Sequence, residues 1–501
     1  MSILGYIRRA LLVALVSVTV LACIPGVTHA VAPTPIPEGP EASSVPAFIG
    51  STAIPHKVSP TYVPRHPFMA ANGRSNIHND AYQTDTYTGA GPRGREMERL
   101  STFLGGECGS LTIDRGGRIE SVCVGLDGPR LVLFDPNTLE LLTAFPLPSR
   151  TPSTSGGNPF TDFSGGGYFY LDQADRAVIP TTTRHIWVID QTADATGPIF
   201  TLERDYDVST AVPAGDGIIS AMPDWAGRIW FVSGTGVVGV IDAVTGEFKA
   251  VALGERIGNS FAVDETGGVF IVTDAAMYRY DLGPGGWPLL SWREPYANIG
   301  TRKPGQTEAG SGTTPTLMGT QFVAITDNAD PMNVVVYRRA KQVTGSRVVC
   351  THPVFAQGAS ATDQSLIGTA HTMIVENNYG YTGPTSVMNG VTTTPGLERV
   401  DIKNDLSGCR TVWHNNESAP SVVPKLSLAN GLVYTYTKPP DQNETDAWYF
   451  TAIDYRTGNT IYKRLAGTGL GFNNNFAPVS LGPNGTAYVG ALGGLVLLRD
   501  Q

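Results

Sequence analysis

Carboxylates and carboxamides recur in this chain at the ends of short runs of β-branched and aromatic residues. Asp274 follows Val269–Thr273, Asp327 and Asn328 follow Phe322–Thr326, and Glu376 and Asn377 close the run that begins at Met373. A second set, Asn259, Asp363 and Asn474, stands just ahead of such runs. Oxygen-bearing groups gathered from separate segments are what Ca²⁺ takes, in shells of roughly six to eight oxygens. A cation held that way polarises a carbonyl or lowers the pKa of a bound water. The same residue types have a second use, because Asp and Asn side chains accept hydrogen bonds from nearby backbone amides in turns. Other chemistries lack support. No Gly-x-Ser-x-Gly elbow is present, and the Gly-rich segments lack the Lys and helix of a phosphate loop.

The elements that would position these groups are strands. Ile218–Glu247, IISAMPDWAGRIWFVSGTGVVGVIDAVTGE in outline, holds three β-type runs joined by turns rich in Gly and Asp. Its pattern of Pro-Asp-x-x-Gly-Arg, an apolar run, a Gly turn, a second apolar run and Asp-x-x-Thr-Gly recurs in looser form along the chain. Starts fall at Leu111, Tyr168, Ile218, Ser260, Thr314, Ser365, Leu426 and Ala477. Recurrence at this spacing predicts an all-β chain folded as a single β-propeller of eight blades, or seven if the first two units are wrongly divided. The last unit stops after its third strand, so a segment upstream of Leu111 is expected to close the ring. In such a ring each first strand starts, and each second strand ends, at the same face. Asn259, Asp274, Asp327, Asn328, Asp363, Glu376, Asn377 and Asn474 should therefore gather around one central funnel, as a ligand or metal site.

Bulk properties agree. The 501 residues are 41% hydrophobic and only 16% charged, with 58 Gly and 36 Pro, a balance that fits short strands and turns. Arg8 and Arg9 precede an apolar run over 10–22, the form of an export signal too short to span a membrane. Two processing sites compete. Val20-Leu21-Ala22-Cys23 resembles a lipoprotein box that would place a lipid on Cys23, and Thr28-His29-Ala30 suits ordinary cleavage. Leu21 is unusual at its place in such a box, which favours simple secretion or release into a periplasm. Without Arg8 and Arg9 the net charge is −11, disfavouring nucleic acid and anionic membranes as partners. Cys108, Cys123, Cys350 and Cys409 make an even set for an oxidising compartment. Of three pairings, Cys108–Cys123 and Cys350–Cys409 are preferred, because each lies within one repeat or at its edge. The Pro-rich segment from Ala32 reads as a disordered tether within an extension running to Gly94, followed by a short helix over 95–100 or by the closing strand.

The repeats PDWAGRIWFVSGTGVVGVIDAVTGE and FAPVSLGPNGTAYVGALGGLVLL, with the endings IDYRTGN and FDPNTLE, resemble the quinoprotein alcohol dehydrogenase-like (PQQ-like) β-propeller superfamily over nearly all of Leu111–Gln501. That resemblance implies the fold. It does not imply the quinone, because no two cysteines are adjacent and the seven Trp do not recur at a fixed blade position. Ile325–Asn328 and Val272–Asp274 also look like strand ends of calcium-dependent lactonase and strictosidine-synthase-like propellers. Two functions follow as expectations: an exported propeller binding a small molecule or protein partner at its funnel, or a calcium-assisted hydrolase using the same funnel.

Overall fold

A computed structural model describes residues 33–125, 128–150, 162 and 164–501. The export signal and Cys23 lie outside the described residues.

The repeated motif explains why the chain turns where it does. Asp224 accepts the amides of Ala226 at 2.9 Å and Arg228 at 3.1 Å, while its other oxygen takes Arg228 Nε at 2.8 Å. Asp114 holds Arg118, and Asp172 holds Ala174 and Arg176, in the same way. The Asp-x-x-Thr endings work likewise: Asp135, Asp242 and Asp454 each accept two successive backbone amides. Between these Asx turns, alternating side chains pack both faces of each sheet against its neighbours. Second and third strands such as Ile229–Ser233 and Val237–Ile241 are buried throughout.

Among the described residues the result is eight sheets, antiparallel apart from one short added strand. Their innermost strands are Gly106–Ile113, Tyr170–Leu171, Ile218–Pro223, Ala262–Val263, Thr316–Met318, Ile367–Gly368, Lys425–Ser427 and Val479–Leu481, called here blades one to eight. The ring closes through the N-terminal segment, as expected. Glu98–Phe103 pairs antiparallel with Gly494–Arg499 as the outer strand of blade eight. The helix expected over 95–100 is absent, since unpaired strand groups of blade eight offer these residues a ladder that a lone helical turn lacks. Among the described residues, no helix is long and apolar enough to cross a membrane.

Two covalent links tie the sheets. Cys108–Cys123 crosses the first two strands of blade one, and Cys350–Cys409 joins the outer strands of blades five and six.

The N-terminal extension is laid onto the ring rather than left as a tether. Ile36 is buried, and Phe48–Gly50 adds an outer strand to blade seven, with Phe48 stacked on Tyr462. Residues 69–87 then pass along the inner strands inside the channel. Their carbonyls accept the amides of Val263, Leu317, Gly368 and Leu426, from Ala81, Tyr82, Thr84 and Asp85 in turn. Thr86–Tyr87 finishes as a parallel strand on Lys425–Ser427. This plug satisfies inner-strand amides that would otherwise face the channel, and it sits toward the face carrying the Asp turns. The opposite face, where the blade-to-blade connections arrive, is left with a funnel.

Candidate functional site

The funnel wall is assembled from those connections. Glu107 and Gly109 come from the start of blade one, and Arg150, Asp162 and Tyr168 from the connection into blade two. Asp363, Gln364 and Ser365 lead into blade six, and Asn475 and Phe476 into blade eight; Ile77 and His78 of the plug form the floor. The space open to the centre of a water molecule is about 50 Å³. One water needs roughly 10–15 Å³ by that measure, so several waters or a small ligand fit.

The floor is a buried polar cluster. His78 Nδ1 lies 3.1 and 3.2 Å from the two oxygens of Asp85 and 2.9 Å from Ser365 Oγ. Ser365 Oγ donates to Asp85, and Lys425 Nζ donates to Asp85 and to the Ile77 carbonyl. Lys425 and Asp85 are both fully buried. Burial by itself would raise the Asp85 pKa, but Lys425 and then His78 outweigh it and hold the carboxyl below its usual range. Serine, histidine and aspartate thus meet, yet not as a nucleophilic triad. Ser365 and Asp85 share one edge of the imidazole, whereas attack requires the hydroxyl on the nitrogen opposite the carboxylate. His78 Nε2 has no hydrogen-bond partner among the described residues.

The wall adds titratable groups held near neutrality. Burial pushes Asp363 up to about 7, against the pull of a hydrogen bond from the Thr307 amide at 2.8 Å. Its other oxygen, Oδ1, has no partner among the described residues. Gly312 makes room for this carboxyl, since a Cβ there would stand 2.5 Å from Oδ1 and 2.0 Å from the Thr362 carbonyl oxygen. Glu107 is also raised to about 7 by desolvation, partly offset by Asn475 Nδ2 donating at 2.9 Å and by the charge of Arg150. Arg150 has Asp162 4.0 Å away. Tyr168 stacks on His78 with centroids 6.1 Å apart and donates to Asn259 Oδ1 at 3.0 Å.

The groups expected from sequence are not all brought together. Asp363 lines the funnel, and Asn259 braces it through Tyr168. The others are consumed by local structure. Asp327 accepts the amides of Ala329 and Asn333 and the side chain of Asn333, closing its own loop. Asn328 donates to Asn298 and Thr301. Glu376 accepts Asn378 Nδ2 at 2.8 Å and Thr435 Oγ1 at 3.2 Å, and its pKa is driven well above normal by burial. Asn377 braces the backbone at Ala359, Ala361 and Tyr379, and Asn474 that at Ala477. Asp274 accepts the Arg256 amide at 3.2 Å near the rim. This donor set does not fit the calcium shell expected of it. Among the described residues, no three His, Cys, Asp or Glu side chains converge as ligands. Sequence reasoning missed Glu107, Arg150, Asp162, Tyr168 and His78. Starting blade one at Leu111 cut off Glu107, and placing the extension that runs to Gly94 outside the propeller left out His78.

No family model matches the chain. It is 28% identical over 322 residues to an uncharacterized protein of Archaeoglobus fulgidus, a match covering 57% of this chain and 62% of that protein. The chain therefore spans about three-fifths of this curated relative. Solved structures similar to it include BamB from Moraxella catarrhalis, 12% identical over 65% of this chain and 91% of that one, with a TM-score of 0.38. Streptogramin B lyase is 11% identical over 80% and 97%, with a TM-score of 0.40. Chaetomium thermophilum Sqt1, solved bound to the N-terminus of ribosomal protein L10, is 11% identical over 77% and 94%, with a TM-score of 0.45. At these values the likeness is one of fold alone.

Proposed function

We propose that the chain is an exported binding propeller whose funnel takes a small polar molecule. The observation that carries this reading is the funnel itself: floored by the plug, walled by connections from several blades, and lined by Asp363 and Glu107 beside Tyr168 and Phe476. Concave sites with an apolar surround and a few convergent polar groups are where small molecules bind. The two disulfides support a compartment outside the reducing cytosol, and the Arg8–Ala22 segment supports export.

A ligand panel screened by thermal shift tests the reading, using the intact protein and Gly109→Phe. Gly109 lines the funnel, and the three atoms nearest a Cβ there all belong to the flexible Glu107 side chain, at 3.3 Å or more, so the added ring is aimed at the cavity. Saturating ligand at about a hundred times Kd stabilises by roughly 2.7 kcal/mol. The expected result is stabilisation of the wild type and none of Gly109→Phe. Equal stabilisation of both proteins would place binding elsewhere.

A further inference from the structure

The loop between the second and third strands of blade six, Thr372–Glu376 and Leu397–Ile402, reaches beyond its own blade. It is fastened first to blade seven. Asp446 accepts the amides of Asn389 at 3.0 Å and Gly390 at 2.9 Å, and Lys438 Nζ donates to the Val391 carbonyl at 2.7 Å. Its buried Tyr381 then meets the connection into blade eight. The hydroxyl lies 2.8 Å from Asn475 Oδ1 and 3.1 Å from Asn473 Oδ1, and the ring stands edge-on to Phe476 with centroids 5.4 Å apart. The backbone there is forced. Asn475 has φ +35° and Phe476 φ +71°, two successive residues in the left-handed region that favours glycine. Such conformations are costly and persist where surrounding contacts over-determine them. Both residues line the funnel.

Hydrogen-bond chemistry fixes how the Asn475 amide must lie. Its Nδ2 donates to Glu107 Oε2 at 2.9 Å. An ionised carboxylate takes only donors, so Asn475 serves it with Nδ2 and turns Oδ1 away. Oδ1 then needs a donor of its own, and the Tyr381 hydroxyl supplies it. Asn473 Oδ1 is already engaged by the Asn475 backbone amide at 3.0 Å. The second oxygen of Glu107, Oε1, lies beside Gly109 of the funnel lining, 3.3 Å from where a Cβ there would stand.

Building on the funnel as a binding site, we infer that the blade-six loop governs it from behind the wall: Tyr381 is a positioning residue that orients Asn475, and Asn475 holds Glu107 with Oε1 presented to a ligand's hydrogen-bond donor. Such a donor favours the ionised carboxyl, so affinity rises with pH as Glu107 loses its proton, at about 7. Removing the Tyr381 hydroxyl leaves Asn475 Oδ1 without its donor and weakens the arrangement that serves the ionised form. The rise then moves to higher pH. The charged and titratable groups around Glu107 are Arg150 and Asp162 from the connection into blade two and Tyr381 from the loop, with His78, Tyr168 and Asp363 lining the same funnel. Burial keeps the Tyr381 phenol neutral, so Tyr381→Phe changes no charge.

Carboxyl-carbon NMR of the intact protein, isotope-labelled at glutamate Cδ, reads the Glu107 titration directly, with Glu107→Gln assigning the resonance. Tyr381→Phe should raise the midpoint by about one pH unit, a tenfold change in the ionisation equilibrium. Asn475→Gly, which suits the left-handed backbone, should raise it at least as far, and adding Tyr381→Phe to it should raise it no further. Gly109→Phe should raise the midpoint independently, by excluding water from Oε1. Circular dichroism verifies the fold of each variant, and Tyr381→Phe alone keeps the test decisive should Asn475→Gly unfold. A midpoint unmoved by Tyr381→Phe, or moved equally in the Asn475→Gly background, overturns the role given to Tyr381 while the funnel reading stands. If Tyr381→Phe moves the midpoint and Gly109→Phe does not, the positioning chain stands, Glu107 does not face the funnel, and the funnel reading fails.

Discussion

Lys425→Met should unfasten the plug from the ring. The Nζ lies in contact with Asp85 of the plug and with the Ile77 carbonyl, and neither charged side chain is exposed to any measurable extent. Removing one member of a buried ion pair leaves the other charge without compensation, at about 3–5 kcal/mol. Asp85 would keep Ser365 and His78 as hydrogen-bond partners, which places the cost toward the lower end, near 3 kcal/mol. The double variant Asp85→Leu/Lys425→Met removes both charges together. Because apolar replacement of a whole buried pair is often neutral, it should recover most of the loss, giving a coupling of about 2 kcal/mol or more in a double-mutant cycle. Equilibrium urea denaturation supplies the free energies. Amide hydrogen exchange at Ala81–Tyr87 supplies the local readout, since those residues should lose protection before the blades do. Single-variant costs below about 1 kcal/mol, or additive effects in the double, would refute the claim that this pair pins the plug.

Through Asp363, stability should fall as pH rises from about 4 to about 7 and level off above that. Asp363 is raised to about 7 when folded, so between about 4 and about 7 the folded chain holds a proton that the unfolded chain has released. The stabilisation is complete below the unfolded value and lost as pH rises, at up to roughly 1.4 kcal/mol per pH unit. Asp363→Asn should therefore be more stable than wild type at pH 8 and lose that advantage at pH 5, as read from urea midpoints; a pH-independent difference would contradict the cause given. Replacing Cys350 and Cys409 by Ala opens a link across 59 residues of chain, a loss of about 4 kcal/mol on the loop-entropy account, checked by denaturation of both forms and disproved by an unchanged midpoint. Thr102→Pro should loosen ring closure. Phe103 donates outward to Thr34, so the alternate residue Thr102 faces Leu495 of blade eight, and proline there removes a ladder hydrogen bond. Faster limited proteolysis near residue 102 is expected, and unchanged resistance would argue against the closing role. Asp327→Ala should cost roughly 1–3 kcal/mol of stability through the loop amides it caps, with ligand binding retained.

The blades were legible because the repeat encodes its own turns. Asp224 and Arg228, or Asp242 and Thr245, perform in three dimensions the capping that their spacing implies. The site was legible only as a face. Strand-end Asp and Asn do collect there, but Asp327, Asn377 and Asn474 spend their polar atoms on backbone a few residues away or in an adjoining loop, and sequence cannot show which oxygens stay open. His78 and Asp85 were hidden for the opposite reason. The plug has no strand periodicity, because its backbone is paired by inner strands hundreds of residues later, as Asp85 is with Leu426. A polar composition rich in Asn and Asp then looks the same whether the segment is free or threaded through a channel.

The most direct measurement is a crystallographic fragment screen on the intact protein. The account predicts hits clustered in the funnel between Asp363, Glu107 and Tyr168, above His78. Hits confined to the grooves of the other face, beside Phe68 and Tyr206 or beside Arg74 and Tyr87, with none in the funnel, would contradict it.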